Sequence, residues 1–366
     1  VFSGPRRREQ AANWRAGASW SIVRSEVRRA VLAAVIPAYR VAGQIERVLA
    51  RAPARLDHLI VVEDCGGDDT AARVEALADP RVTLVRRERN GGVGAATKTG
   101  YLRALELGAD LVVKLDGDDQ MDPAHLPELL APLVRGEADY TKGNRFRRAE
   151  SLRGMPPVRR LGNLGLSFLG KVASGYWTIF DPTNGYTAIR SQALRELPME
   201  RLADRYFFEL SMLVELNLVG AVVRDVFMPS RYADERSSLS PALALLDFPP
   251  RLLRAGLRRL WDRHFLRDFT PVSLFLVGSA PLLGIGALLG THYWTRSIAT
   301  GVATTAGQVM LTVLPLLAGL QLLLQALMLD IGSVPRHSPF AQPDLDPAVL
   351  DELRASNSVP RTDGEG

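Results

Sequence analysis

A single cysteine, Cys65, among 366 residues excludes a disulfide framework and any zinc site built on cysteine, and it suits folding in a reducing compartment. Lysine is nearly as scarce: the 45 basic residues are 41 Arg and 4 Lys. The net charge of +5 is therefore weak ground for a nucleic-acid partner, and no stripe of basic and aromatic residues argues for one. With 47% hydrophobic and 23% charged residues, wholesale disorder is excluded, and the length allows about two domains.

Charge itself is absent from residues 269–295 and again from 297–329, with Arg296 alone between. Each run exceeds the roughly 20 residues needed to cross about 30 Å of hydrocarbon, which predicts two membrane-spanning helices over 271–289 and 302–329. A pair of buried core helices is the alternative. His292, Tyr293 and Trp294 are expected in the connection, where amphipathic rings favour the membrane interface. Arg251, Arg254, Arg258, Arg259, Arg263 and Arg267 precede the first run, so the positive-inside rule places the N-terminal part and both termini in the cytoplasm. Their spacing of three and four, with Leu252, Leu253, Leu257, Leu260 and Trp261 between, reads as a basic amphipathic helix on anionic lipid, or else a solvated helix packed on its own domain. Residues 1–30 hold seven Arg and two Glu without the apolar centre of a signal peptide and read as a flexible arm. Residues 331–366 read as a disordered tail. The domains expected are thus 31–240 for the globular body, 241–268 for the juxtamembrane helix and 269–330 for the spans.

Within the body, apolar runs at 31–36, 59–62, 82–85 and 111–115 have the length of strands, while 44–52, 70–78, 93–107 and 123–134 have the length and mixed faces of helices. This alternation predicts an α/β fold with a mostly parallel sheet, helices on both faces and ligands beyond the carboxyl ends of the strands. Residues 156–226 add a long helix, a turn-rich segment and a helix at 205–218, expected to cover the site from the acceptor side.

The segment "KLDGDDQMDP", 114–123, carries the richest chemistry. Asp116 and Asp118 flank Gly117 on a turn and can converge on one hard cation, Mg2+ or Mn2+, with Gln120 adding a neutral oxygen. Four carboxylates in so short a run repel one another unless a cation joins them. At the end of the first strand Pro37 is expected to stop the strand, which leaves Tyr39 available to a flat nucleobase. At the end of the second, Glu63 and Asp64 can accept hydrogen bonds from a base or ribose, and Asp68, Asp69 and Thr70 cap the next helix. "NGGVGAATKTG", 90–100, mimics a dinucleotide fingerprint, but Thr97 replaces the third glycine and the unit comes third in order. Its glycines still allow close approach of a ligand, with Lys98 available to a phosphate.

"VIPAYR", "IVVEDCGGDDT", "NGGVGAATKTGY", "DGDDQMDP" and "KGNRF", in this order, resemble the family-2 glycosyltransferases of GT-A fold. With "GNLGLSFLGKVASG", "FDPTNGYTAIR", "RYFFE", "MPSRYADERSSLS" and the two trailing spans, the chain is similar to the branch holding dolichyl-phosphate mannose synthases and bacterial polyprenyl-phosphate glycosyltransferases. The resemblance implies that Pro37, Tyr39 and the Glu63 region hold the nucleoside, and that Asp116, Asp118 and Gln120 hold the metal. It also implies that Asn144 and Arg145 meet the donor phosphates, that Asp181, Asn184 and Glu209 line the transfer site, and that Arg231 and Tyr232 close over the donor. Glu63 stands where the family usually has Asp, Cys65 and Gly66 where it has Gly and Ser, and Arg40 where it has Asn. These departures bear on the base rather than on the chemistry. The "QxxRW" motif of processive synthases is absent, which favours transfer of a single sugar.

The expected activity is inverting transfer of one sugar from a nucleotide diphosphate sugar, GDP-mannose or a UDP-hexose, to a polyprenyl phosphate of undecaprenyl or dolichyl type. Arg159 and Arg160 are candidates to grip the acceptor phosphate, and Asp118 and Arg145 to act at the reacting bond. The location expected is the cytoplasmic membrane. A glycosyltransferase with a hydroxyl acceptor would instead need a general base, from Asp118, Asp181 or Glu209. A membrane nucleotide-binding protein without turnover is the remaining alternative, and self-association is left open.

Overall fold

The computed structural model describes residues 29–145, 157–228, 241–340 and 345–358; most of the N-terminal arm therefore lies outside the described residues. Strand β1 (Leu32–Ala38) is followed by α1 (Ile45–Arg51), β2 (His58–Glu63), α2 (Thr70–Ala76), β3 (Val82–Arg86), α3 (Val93–Glu106) and β4 (Leu111–Lys114). A single turn at Pro123–His125 leads into α4 (Leu126–Val134), then come β5 (Tyr140–Asn144), α5 (Pro157–Ser174), β6 (Thr187–Arg190), α6 (Ser191–Arg195), α7 (Phe208–Leu218) and β7 (Val223–Phe227). The sheet order is β3-β2-β1-β4-β6-β5-β7, parallel throughout except for β6, which runs antiparallel to β4 and β5.

Strand β1 shows why the sheet is covered twice. Leu32, Ala34 and Ile36 point into a core with α1, α2 and α4, while Ala33 and Val35 point into a second core with α3, α6 and α7. Successive side chains leave opposite faces of a strand, so a run apolar at every position must be buried on both. Strands β5 to β7 carry no such run. Tyr140, Thr141, Lys142, Gly143 and Asn144 are all buried although three are polar, so their pairing depends on the neighbouring strands rather than on apolar pattern.

Beyond the sheet, α8 (Pro241–Trp261) and a short π-helical turn (Asp262–Leu266) lead to α9 (Pro271–Thr300) and α10 (Ala306–Gly332). Both last helices are long and apolar enough to cross a membrane, and their most apolar windows are only 22% and 11% buried. Neither is therefore a buried helix of this chain's own core. They pack as an antiparallel hairpin, with Gly286 against Leu316 and Gly319 against Leu283. Helix α9 runs further than the sequence pattern suggests, so His292, Tyr293, Trp294 and Arg296 lie on its last turns rather than in the connection. A left-handed Gly301 ends it.

The tail departs from expectation as well. After α10, Ser338 donates to buried Asp139, and helix α11 (Ala348–Ser358) follows. Leu345, Val349, Leu350 and Leu353 are buried in the core beside α4, and Glu352 pairs with Arg55. The polar composition of the whole tail hid four apolar residues spaced to cover one helical face.

Candidate active site

The carboxyl ends of β1, β2, β4 and β5 and the start of β6 meet at one edge of the sheet. Lys114, Thr187 and Lys142 lie in one row across β4, β6 and β5. Lys114 Nζ is 2.7 Å from Asp116 Oδ1 and 3.3 Å from Glu209 Oε1. Burial opposes its charge, but the two carboxylates more than offset this and hold the ammonium above the ordinary lysine range. Lys142 is fully buried and donates to the Asn184 carbonyl. Burial pushes it down to about 8 against the pull of Glu209, Asp181 and Asp225. Neither lysine was singled out from the sequence. The available signal was composition: a chain with so few lysines places one immediately before each of two polar motifs.

The acidic loop divides by direction. Asp119, held in the left-handed region, takes contacts of 3.4 Å from Arg47 and 2.7 Å from Arg51, and Asp122 pairs with Arg51 at 3.1 Å. Arginines from α1 thus neutralise two of the four carboxylates, which corrects the expectation that a cation alone could hold the cluster together. Asp116 and Asp118 remain half-buried at the sheet edge, with Gln120 exposed beside them. Among the described residues no three His, Cys, Asp or Glu side chains converge on a metal position. Two carboxylates, one amide and no nitrogen or sulfur form an all-oxygen set. This fits Mg2+ or Mn2+, which take few protein ligands and complete their shell with water and phosphate. Gly185 keeps the approach open, because a Cβ there would lie 3.0 Å from Asp116 Oδ2 and 2.6 Å from Lys114 Nζ.

On the transfer side, Asp181 is fully buried and accepts from Arg145 Nε at 2.8 Å and Nη2 at 3.1 Å. Asn184 donates to the Gly143 carbonyl at 2.8 Å and accepts from the Tyr186 amide at 3.0 Å. Asn144 donates to Asp225 at 2.8 Å. Asp225 also accepts from the Phe180 amide at 2.8 Å, and burial pushes it up to about 6.

On the nucleoside side, Tyr39 and Arg40 follow β1, with Tyr39 46% exposed. Glu63 Oε1 accepts from the Gly66 amide at 2.6 Å. Asp64 does not face this opening. Its side chain accepts from Arg87 Nη1 at 2.6 Å and from the amides of Gly91 and Gly92 at 3.0 and 2.7 Å, so it secures the glycine-rich turn instead of a ribose. That turn is also filled by protein. Gly92 adopts φ +93°, a Cβ there would meet the Asp204 carbonyl at 2.9 Å, and the Ala95 amide donates to the same carbonyl at 2.9 Å. Lys98 pairs with Asp204 at 2.5 Å and donates to the Leu202 carbonyl at 3.0 Å, away from a phosphate role. The α2 cap differs too: Asp69 makes no side-chain cap, while Asp68 accepts from Thr70 Oγ1 and the Ala42 amide. The backbone at Arg159 and Arg160 lies in the first turn of α5, and their side chains, with Arg231 and Tyr232, fall outside the described residues.

Residues 33–198 match the model of glycosyl transferase family 2. The UDP-N-acetylglucosamine–dolichyl-phosphate N-acetylglucosaminyltransferase of Methanococcus voltae is 31% identical over 187 residues, 47% of this chain and 74% of that relative. The chain belongs to glycosyl transferase family 2. The polyprenol monophosphomannose synthase of Mycolicibacterium smegmatis is 31% identical over 223 residues, 58% of this chain and 78% of the relative. Among solved structures, glucosyl-3-phosphoglycerate synthase from Mycobacterium tuberculosis with Mn2+, UDP-glucose and glycerol 3-phosphate shares 22% identity, covers 64% of this chain and 80% of its own, and has a TM-score of 0.46. In this glycosyltransferase the residues quoted for the family thus separate into two groups. Tyr39, Glu63, Asp116, Asp118 and Arg145 stay at the sheet edge with Asn184 and Glu209 buried behind them on Gly143, Tyr186 and Lys114, whereas Asp64 and Lys98 are spent on contacts with other segments.

Proposed function

We propose that this glycosyltransferase moves one sugar from a nucleotide diphosphate sugar to a polyprenyl phosphate at the cytoplasmic face of a membrane, with inversion at the anomeric carbon. The observation that carries this reading is the state of the carboxylates a hydroxyl acceptor would need as base. Asp181 is fully buried against Arg145, and Glu209 is held by Lys114, which leaves Asp118 beside the metal position. A lipid phosphate needs no such base, because its second pKa near about 6 leaves it largely ionised at neutral pH. Its oxygen attacks the anomeric carbon while the bond from that carbon to the terminal diphosphate oxygen breaks, and the nucleoside diphosphate leaves with the electron pair. Asp116, Asp118 and Gln120 would hold Mg2+ or Mn2+, whose chemistry when bound is to offset charge on the diphosphate. Arg145 brings a planar fork suited to phosphate to the same edge, oriented by Asp181.

The membrane side supports the same acceptor, with a correction to how α8 meets lipid. Arg251 and Arg254 on α8 stay exposed, whereas the four arginines that follow turn inward: Arg258 pairs with Glu215, Arg259 with Asp330, Arg263 donates to Asn217, and Arg267 to the Leu218 carbonyl. Leu253, Leu257 and Trp261, at 65%, 59% and 55% exposure, form the outward stripe. An apolar stripe flanked by two apolar helices favours burial at the acyl boundary, with the exposed Arg251 and Arg254 available to anionic headgroups. The relatives named for dolichyl-phosphate and polyprenol acceptors point the same way.

The test offers the purified full chain a polyprenyl phosphate or the matching polyprenol, with labelled nucleotide sugars and Mg2+ or Mn2+. Transfer to the phosphate alone is expected. Equal transfer to both would mean a hydroxyl acceptor and would remove the phosphate mechanism.

A further inference from the structure

The segment between α5 and β6 carries Asp181 and Asn184 and is neither helix nor strand, so its shape depends on what it is tied to. Ser167 of α5 donates to the Phe180 carbonyl at 2.7 Å, and the Phe180 amide donates to Asp225 of β7 at 2.8 Å. Asp181 holds Arg145 through two nitrogens, and Asn184 donates to the Gly143 carbonyl. The next two carbonyls along the chain each meet a buried lysine: Lys142 Nζ of β5 donates to that of Asn184, and Lys114 Nζ of β4 lies 3.4 Å from that of Gly185. Lys114 is also committed to Asp116 and Glu209. Lys142 has no part in the reaction described above, yet it is fully buried where Glu209 of α7, Asp181 of the segment and Asp225 of β7 attract its charge and Lys114 repels it.

We propose that Lys142 is a positioning residue for the lipid phosphate: its ammonium fixes the segment 180–186, and through it the Asp181 carboxylate that orients the Arg145 guanidinium. This rests on the polyprenyl phosphate reading above and adds a residue to it. Two physical effects give the ammonium this role. Its hydrogen bond to the Asn184 carbonyl is charge-assisted, so it holds the backbone more firmly than a neutral donor would. Its charge also stands behind Asp181 and Glu209, two carboxylates that would otherwise repel an arriving phosphate. Burial pushes Lys142 down to about 8 against the pull of the three carboxylates, so the cation is lost as the solution turns alkaline. The groups around it do not titrate in that range. Lys114 is held above the ordinary lysine range by Asp116 and Glu209, burial pushes Tyr101 up to about 12, and Asp225, at about 6, is already ionised. The lipid phosphate, with a second pKa of about 6, is a dianion throughout.

Steady-state kinetics of the full chain in detergent, with Mg2+, nucleotide sugar and polyprenyl phosphate, test this from pH 7 to 9. In the unaltered protein the KM for polyprenyl phosphate is expected to rise about tenfold across that range, while the KM for the nucleotide sugar changes by less than about threefold. Lys142→Met keeps the length of the side chain without its charge. It should raise the acceptor KM by about tenfold or more already at pH 7, leave the donor KM within about threefold, and abolish the further rise with pH. A side chain that only filled space would shift the unfolding temperature without separating the two KM values or removing a pH dependence. An acceptor KM unchanged by Lys142→Met, or donor and acceptor KM raised alike, would overturn the role of Lys142 and leave the phosphate reading standing. Should the variant not fold, an acceptor KM independent of pH in the unaltered protein would overturn it equally. Transfer to polyprenol as fast as to polyprenyl phosphate would overturn both.

Discussion

Arg259 and Asp330 face each other through two contacts, Nη1 to Oδ1 at 2.8 Å and Nη2 to Oδ2 at 2.7 Å, with both side chains buried. Arg259 also donates to the carbonyls of Val172 and Ala173, so one guanidinium joins α5, α8 and the end of α10. His264 completes the cluster, 3.2 Å from Asp330 and 2.8 Å from Thr270. The globular body and the apolar hairpin are therefore joined by a polar lock.

Removing one partner leaves the other charge buried, which costs about 3–5 kcal/mol. Asp330→Ala should lower the unfolding temperature sharply in detergent. Replacing both residues with apolar ones of similar size, Arg259→Met with Asp330→Leu, should recover much of the loss. If the double variant is no more stable than Asp330→Ala, the pair is not the source of the effect.

Asp116→Asn and Asp118→Asn each delete one ligand charge with little change in volume. Both should bind Mn2+ more weakly and lose activity on the order of a hundredfold or more, since even residues behind a metal's ligands cost about 10- to 100-fold. Circular dichroism and unfolding should be near wild type. Full turnover in either variant would remove these residues from the metal site.

Glu209 touches Lys114, itself paired with Asp116, which fits a positioning role rather than that of a base. Glu209→Gln should reduce kcat roughly tenfold and leave the shape of the pH–rate profile unaltered. Disappearance of the acidic limb of that profile would show that Glu209 is a base after all.

Asp225 gives a pH signature of stability. Its pKa in the folded protein, about 6, lies above the unfolded value, and one of its oxygens is buried without a hydrogen-bond partner. The unfolded chain loses this proton first, so stability falls as pH rises from about 4 to 6, by at most about 3 kcal/mol from this group, and the penalty persists above. Asp225→Asn should flatten that part of the curve and unfold at a higher temperature at pH 7.5. An unchanged slope would show that the carboxyl ionises freely.

Much of this architecture was determined locally. Strands β1, β2 and β4 are apolar at consecutive positions, so they declare burial on both faces, and the runs without charge at 269–295 and 297–329 declare their length and solvent preference without reference to any neighbour. "DGDD" likewise announces carboxylates on a tight turn. What tertiary structure decided was direction and pairing. Asp64 and Lys98 occupy motif positions, yet their partners, Arg87 and Asp204, come from other segments and consume them. The arginines of α8 have the spacing of a lipid-facing basic stripe, but Glu215 and Asp330, distant in sequence, turn Arg258 and Arg259 inward and leave only Arg251 and Arg254 outside with the leucines. Lys114 and Lys142 sit within strands, and only the register that aligns both with Thr187 reveals two cations beneath the site. Apolar burial is a property of a residue and its immediate pattern, whereas the fate of a charge depends on which opposite charge the fold brings within about 4 Å.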